Sequence, residues 1–261
     1  MGNGVRSMIQ NNFKIIIPAY NAAPWIQKCI WSLHNQAYTN WKSVIIDDAS
    51  TDQTLEYILS FMKDIPEADN YKRKQYRLLQ RNVNVGALEN IVYGINLICD
   101  NDEDIIVLLD GDDLLAAHDI LEYLNEVYQN QNIWLTYGQY IHMSDNKTRG
   151  MNKPLTMSTR EYRDGKEYWC TSHLRTFKYK VWKQLKDADL RMSNGKYYPM
   201  AWDLAIMYPL VEMCGNRRIQ FINKIMYIYN DTNPISDGKK NPIYQISLAR
   251  EIKNKPKYPE L

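Results

Sequence analysis

The sequence predicts an α/β fold in which a mostly parallel central sheet carries helices on both faces. Two observations predict it. Short β-branched or apolar runs alternate along the first half of the chain with segments whose apolar residues recur at helical spacing. Several of these runs also end in acidic or polar turns, the place where open parallel sheets gather ligands.

Residues 13–18 (FKIIIP) form a run that stops at a proline, as a buried strand does where a loop begins. Pro24 suits a first helical turn, and Ile26, Ile30 and Leu33 then share one helix face. Residues 41–47 (WKSVIID) read as a second strand with acids at its end. The segment ASTDQT, rich in capping residues, leads into a helix with Leu55, Ile58, Leu59 and Met62 on its apolar face. Residues 76–80 are a third strand. Gly86 opens a helix faced by Leu88, Ile91, Val92, Ile95 and Ile98, and residues 105–109 are a buried strand. Beyond residue 130 the pattern thins to a strand at 133–137, a short helix at 178–185, a helix at 202–213 and one or two strands within 219–229. The plan is therefore a flexible N-terminus (1–12), one domain (13–230), and a Pro-, Gly- and Lys-rich lid or tail (231–261).

Composition excludes several classes. With 261 residues, 45% hydrophobic and 24% charged, the chain is globular and long enough for a real core. A formal charge of +2 supplies no field that selects nucleic acid, and the basic run 71–77 (YKRKQYR) reads as a solvated face. The longest apolar stretches, such as 105–109, fall far short of the ~20 residues of a membrane span, and the first residues lack the apolar core of a signal peptide. A cytoplasmic protein with no membrane span and no nucleic-acid partner is expected. The four cysteines form no CxxC pair and are expected to act as small buried hydrophobes.

The chemistry concentrates in IIVLLDGDDLL, where a strand delivers Asp110, Asp112 and Asp113 into one turn with Gly111. Carboxylates this close repel one another unless a cation joins them, and Mg²⁺ or Mn²⁺ takes oxygen ligands shared with phosphate. A solvated turn in which Asp112 or Asp113 caps a helix is the plainer reading. Asp47 and Asp48 end the second strand, where an acid accepts from a ribose hydroxyl or a base N–H; turn formation accounts for Asp48 equally well, and Asp52 reads as a helix cap.

Four stretches together, FKIIIPAYNAAPWIQKCIWSL, NQAYTNWKSVIIDDASTDQT, NVGALENIVYGI and IIVLLDGDDLL, resemble in order and spacing the family-2 glycosyltransferases of GT-A fold, over roughly residues 13–128. The resemblance implies a nucleotide-sugar-binding half (13–128) and an acceptor half (129–230). It implies that Tyr20 packs on the donor base beside Pro18 and that Asp48 reads that base, commonly uracil. Asp112 then lies near ribose and metal, Asp113 is the direct ligand of Mn²⁺ or Mg²⁺, and Asp110 supports the turn. It further implies an inverting transfer from a nucleotide sugar, a UDP-sugar foremost, to a hydroxyl on a glycan or glycoconjugate acceptor, with Asp203 in AWDLAIMYPL as the base; Asp203 alternatively serves the helix dipole.

Three departures stand out. Glu89 precedes Asn90 where relatives often carry Arg, Trp202 precedes Asp203 where a Glu is common, and no histidine follows His173, although some relatives supply a late histidine to the metal. His173, Arg175 and Trp202 are candidate sugar or acceptor contacts, with a structural role as the alternative, and Trp169 is a candidate stacking ring or a core residue. Two rivals remain. A haloacid-dehalogenase-like phosphatase wants Thr where Leu114 stands, and a silent relative would bind nucleotide or glycan without transfer.

Overall fold

The computed structural model describes residues 8–149, 152–165 and 169–261. In chain order the strands and α-helices are β1 (Phe13–Ala19), α1 (Ile26–His34), β2 (Trp41–Asp47), α2 (Thr54–Asp64), α3 (Asn70–Arg73), β3 (Tyr76–Gln80), α4 (Ala87–Ile98), β4 (Ile105–Leu108), β5 (Leu114–Leu115), α5 (Ile120–Val127), β6 (Leu135–His142), α6 (Thr159–Tyr162), β7 (Arg175–Lys178), α7 (Tyr179–Trp182), α8 (Trp202–Cys214), β8 (Ile219–Tyr229), α9 (Asp237–Lys240) and α10 (Pro242–Lys253).

All eight strands form one sheet in the order β3-β2-β1-β4-β7-β6-β8-β5. The first four are parallel, as the alternation predicts. β7 then runs antiparallel to both β4 and β6, β6 and β8 are parallel, and β5 closes the edge antiparallel to β8. Every residue of β1 is buried because the sheet is covered on both sides. Phe13, Ile15 and Ile17 face a core completed by α1, α2 and α5, while Ile16 faces a second core built from α4, α8 and α10.

Several expectations are corrected. The helix at 26–34 begins after Pro24, with Trp25 as its cap. On α2 the core side is Thr54, Ile58 and Phe61, and Leu59 is 52% exposed, because the helix rolls to seat the Phe61 ring against Trp31, His34 and Tyr76. After the acid turn comes the two-residue strand β5, and the next helix starts only at Ile120.

Residues 1–7 of the N-terminal segment expected to be flexible lie outside the described residues. Of the remainder, Ile9 exchanges hydrogen bonds with Gln129, and Asn11 is buried against Asn125. From the segment expected as lid or tail, Leu248, Ile252 and Tyr258 enter the second core. All four cysteines are free and buried. No helix among the described residues is long and apolar enough to cross a membrane.

Candidate active site

Parallel β1, β2 and β4 end on the same side, so the loops after Ala19, Asp47 and Leu108 converge. Gly111 lets them touch. A Cβ there would lie 2.8 Å from the Ala19 Cβ and 2.9 Å from the Pro18 oxygen, and the Gly111 N–H donates to that oxygen at 3.0 Å. The resulting pocket of about 470 Å³ is lined by Pro18, Tyr20, Asp48, Asp110, Asp112 and Asp113 from the first half of the chain. His173, Arg175, Trp202 and Asp203 line it from the second half, so every expected site residue borders one cavity. Trp169 does not line it; its ring stacks on Tyr162 and packs against the second core.

Within the pocket the acids differ. Asp113 is 1% exposed, and its two oxygens accept from Tyr227 Oη (2.7 Å) and from the Asn230 N–H (2.6 Å). The same Tyr227 hydroxyl accepts from the Asp110 N–H at 3.2 Å. Asp112 accepts from the Asn233 amide at 2.7 Å. Burial pushes the Asp112 carboxyl above the usual range, and burial together with the charges of Asp112 and Asp110 pushes Asp113 well above it.

Atoms of Asp110, Asp113 and His173 lie within 4.8 Å of one another, with His173 Nε2 4.0 Å from Asp110 Oδ2. The crowded, desolvated oxygens fit a divalent cation. This geometry brings Asp110 and His173 to Asp113 and leaves Asp112 outside the close group.

Asp48 is 3% exposed and uses both oxygens to hold the loop before α4, accepting from the N–H groups of Val85 (2.9 Å) and Gly86 (2.8 Å). Gly86 sits there at φ +91°, a conformation that suits glycine. Tyr20, 37% exposed, lines the pocket. Asp52 accepts from the backbone and hydroxyl of Thr54, the first residue of α2, and from the Ala23 N–H, while the cap position expected of it belongs to Gln53.

Across the cavity, Asp203 stands in the first turn of α8, where Oδ1 accepts from the Leu204 N–H and Oδ2 lies 3.6 Å from Arg175 Nη2. His173 is stacked against Tyr227 and Tyr229. Burial and the Arg175 charge push its imidazole well below the usual histidine range, so it is neutral near pH 7.

Tyr227, Asn230 and Asn233 escaped sequence reasoning, because they reach the acid turn through the pairing of β8 with β5. A backbone signal was equally invisible. Three of the four non-glycine residues with positive φ among the described residues, Asn21, Ala49 and Ala201, adjoin Tyr20, Asp48 and Trp202, as strain gathered at a working site would.

Comparison with known proteins finds a matching family and solved structures of similar fold. The family model described as Glycosyl transferase family 2 matches residues 14–186. An uncharacterized glycosyltransferase of Haemophilus influenzae is 33% identical over 126 residues, 48% of this chain and 46% of that protein, so the chain spans less than half of that relative. S. aureus TarS 1–349 in complex with UDP-GlcNAc superposes with a TM-score of 0.66 at 17% identity, covering 92% of this chain and 65% of that one. The mannosyltransferase PcManGT from Pyrobaculum calidifontis, in complex with GDP-Man and Mn²⁺, gives 0.61 at 16% identity, covering 95% and 66%. The likeness to these structures establishes the GT-A fold, and the family match decides the rest: this chain belongs to glycosyl transferase family 2.

Proposed function

We propose that the chain is an inverting glycosyltransferase that moves a sugar from a nucleoside-diphosphate sugar, a UDP-sugar foremost, to a hydroxyl on a glycan or glycoconjugate acceptor. The observation that carries this reading is the placement of the acid turn and Asp203 on opposite elements of one cavity. Support for the donor comes from the two superposed structures, which hold UDP-GlcNAc in one case and GDP-Man with Mn²⁺ in the other. Family membership also leaves no ground for the phosphatase reading.

In this reading Tyr20 stacks on the base beside Pro18, and Asp48 shapes the base subsite through the loop it anchors. Asp110 and Asp113 would hold Mn²⁺ or Mg²⁺, with Asp112 beside the ribose, and the cation when bound neutralises the charge on the departing diphosphate. His173, Arg175 and Trp202 border the space left for donor sugar and acceptor. Asp203 takes the acceptor proton as the acceptor oxygen bonds to the anomeric carbon, and the bond to the diphosphate breaks with its electron pair leaving on phosphate. Attack from the face opposite the leaving group inverts the centre. The halves 13–128 and 129–230 then serve donor and acceptor.

Thermal unfolding with UDP, GDP, dTDP and their sugar conjugates, with and without Mn²⁺, tests the donor site, and an assay for transfer product separates an enzyme from a silent binder. One nucleotide should give a metal-dependent rise in the midpoint. Asp203→Asn should keep that rise and lower turnover by about 10²- to 10⁴-fold. Absence of any nucleotide-dependent rise at saturating metal overturns the reading.

A further inference from the structure

Arg175 is a buried cation inside a cavity dominated by carboxylates. It is 3% exposed and opens β7, where it lies in register with Leu108, two residues before the acid turn. Its Nη2 is 2.7 Å from His173 Nε2 and 3.6 Å from Asp203 Oδ2, and its Nε is buried with no hydrogen-bond partner. The guanidinium carbon stands 5.4 Å from the centre of the Trp202 ring. Asp203 is the one carboxylate within ion-pair distance of Arg175 among the described residues.

We propose that Arg175 is the positioning residue of Asp203: braced by His173 on one side and by the Trp202 ring on the other, it fixes the Asp203 carboxylate in the cavity from the strand next to the acid turn. The proposal rests on the role of Asp203 as base. It also gives Trp202 a purpose. A glutamate at 202 would compete with Asp203 for the guanidinium, whereas an indole face attracts the cation without offering it a second carboxylate. The Leu204 N–H holds Oδ1 and Arg175 faces Oδ2, so both oxygens of Asp203 are directed. A base displaced by about 1 Å loses about 10²-fold in rate.

The test compares wild type, Arg175→Met, Arg175→Lys and Trp202→Ala. The first arm is steady-state release of UDP from UDP-glucose, UDP-N-acetylglucosamine and UDP-glucuronate with Mn²⁺, alongside calorimetric binding of UDP with Mn²⁺. Arg175→Met should lower kcat at least tenfold with the donor KM within about twofold and UDP binding unchanged. Arg175→Lys should recover part of the loss, and Trp202→Ala should fall between wild type and Arg175→Met. A large rise in KM at constant kcat would make Arg175 a substrate contact and overturn the proposal, as would an unchanged kcat.

The second arm needs no turnover. Crystal structures of wild type and Arg175→Met should show Asp203 turned away from the cavity only in the variant, and an unmoved Asp203 also overturns the proposal. The proposed function fails separately, when no nucleotide raises the unfolding midpoint at saturating metal; if wild type binds UDP but releases none from these three donors without acceptor, the position of Asp203 in the two crystals decides this inference.

Discussion

Asp113 and Glu212 are equally buried, each 1% exposed, and the fold treats them in opposite ways. Glu212, near the C-terminal end of α8, meets the buried Arg163 at 2.7 Å and accepts from the Tyr258 N–H. Burial raises its pKa, and Arg163 and the Tyr258 N–H oppose that rise. Among the described residues Asp113 has only neutral donors, Tyr227 and Asn230, while its charged neighbours Asp112 and Asp110 add to the rise that burial causes. A chain able to neutralise a buried carboxylate from within leaves the one just before β5 facing other carboxylates. That contrast is what a structural ion pair and a cation-binding turn should show.

The contrast can be broken by experiment. The largest effect is expected from Arg163→Met, which strands Glu212 and should lower the unfolding free energy by about 3–5 kcal/mol in denaturant titration. Next, Mn²⁺ at a hundredfold its dissociation constant should add about 2.7 kcal/mol to wild type, an increment that EDTA removes and that Asp110→Asn lacks. Tyr227→Phe leaves an Asp113 oxygen and the Asp110 N–H without their partner, so a loss of about 1–3 kcal/mol is expected by the same titration.

The smallest effect should be Asp113→Asn in metal-free buffer near neutral pH. The raised pKa means that the folded state disfavours the ionised form more than the unfolded chain does, so ionisation opposes folding as the pH rises above the usual carboxylate range. Removing the charge should therefore offset most of the disturbed hydrogen bonding, leaving stability within about 1 kcal/mol of wild type. A loss as large as that of Arg163→Met would erase the distinction between the two carboxylates.

The first half of the fold was legible because each element declares itself locally. The β-branched runs of β1 and β2, and the periodic face of α4 with Leu88, Ile91 and Ile95, read directly as buried structure. Leu59 shows the limit, since periodicity names the apolar residues of α2 but not the angle at which the helix settles. β5 and β7, two and four residues long, carry too few positions for any period to show and exist through pairing with β8, β4 and β6. The site divides the same way. Asp110, Asp112 and Asp113 stand out in the sequence, whereas Asp113's partners Tyr227 and Asn230 lie 114 and 117 residues further along.

That separation sets an order of assembly. The turn that follows β4 is made early as the chain leaves the ribosome, yet its inner carboxylate gains its donors only after β8 has emerged and paired with both β6 and β5. Until then the turn rests on Pro18 through the Gly111 N–H, but the Asp113 carboxylate lacks the Tyr227 and Asn230 donors. Competence to bind a charged ligand should thus arise in a single late step, when the last strand docks, and a nascent chain that has completed the first four strands would hold all three acids without yet holding a site.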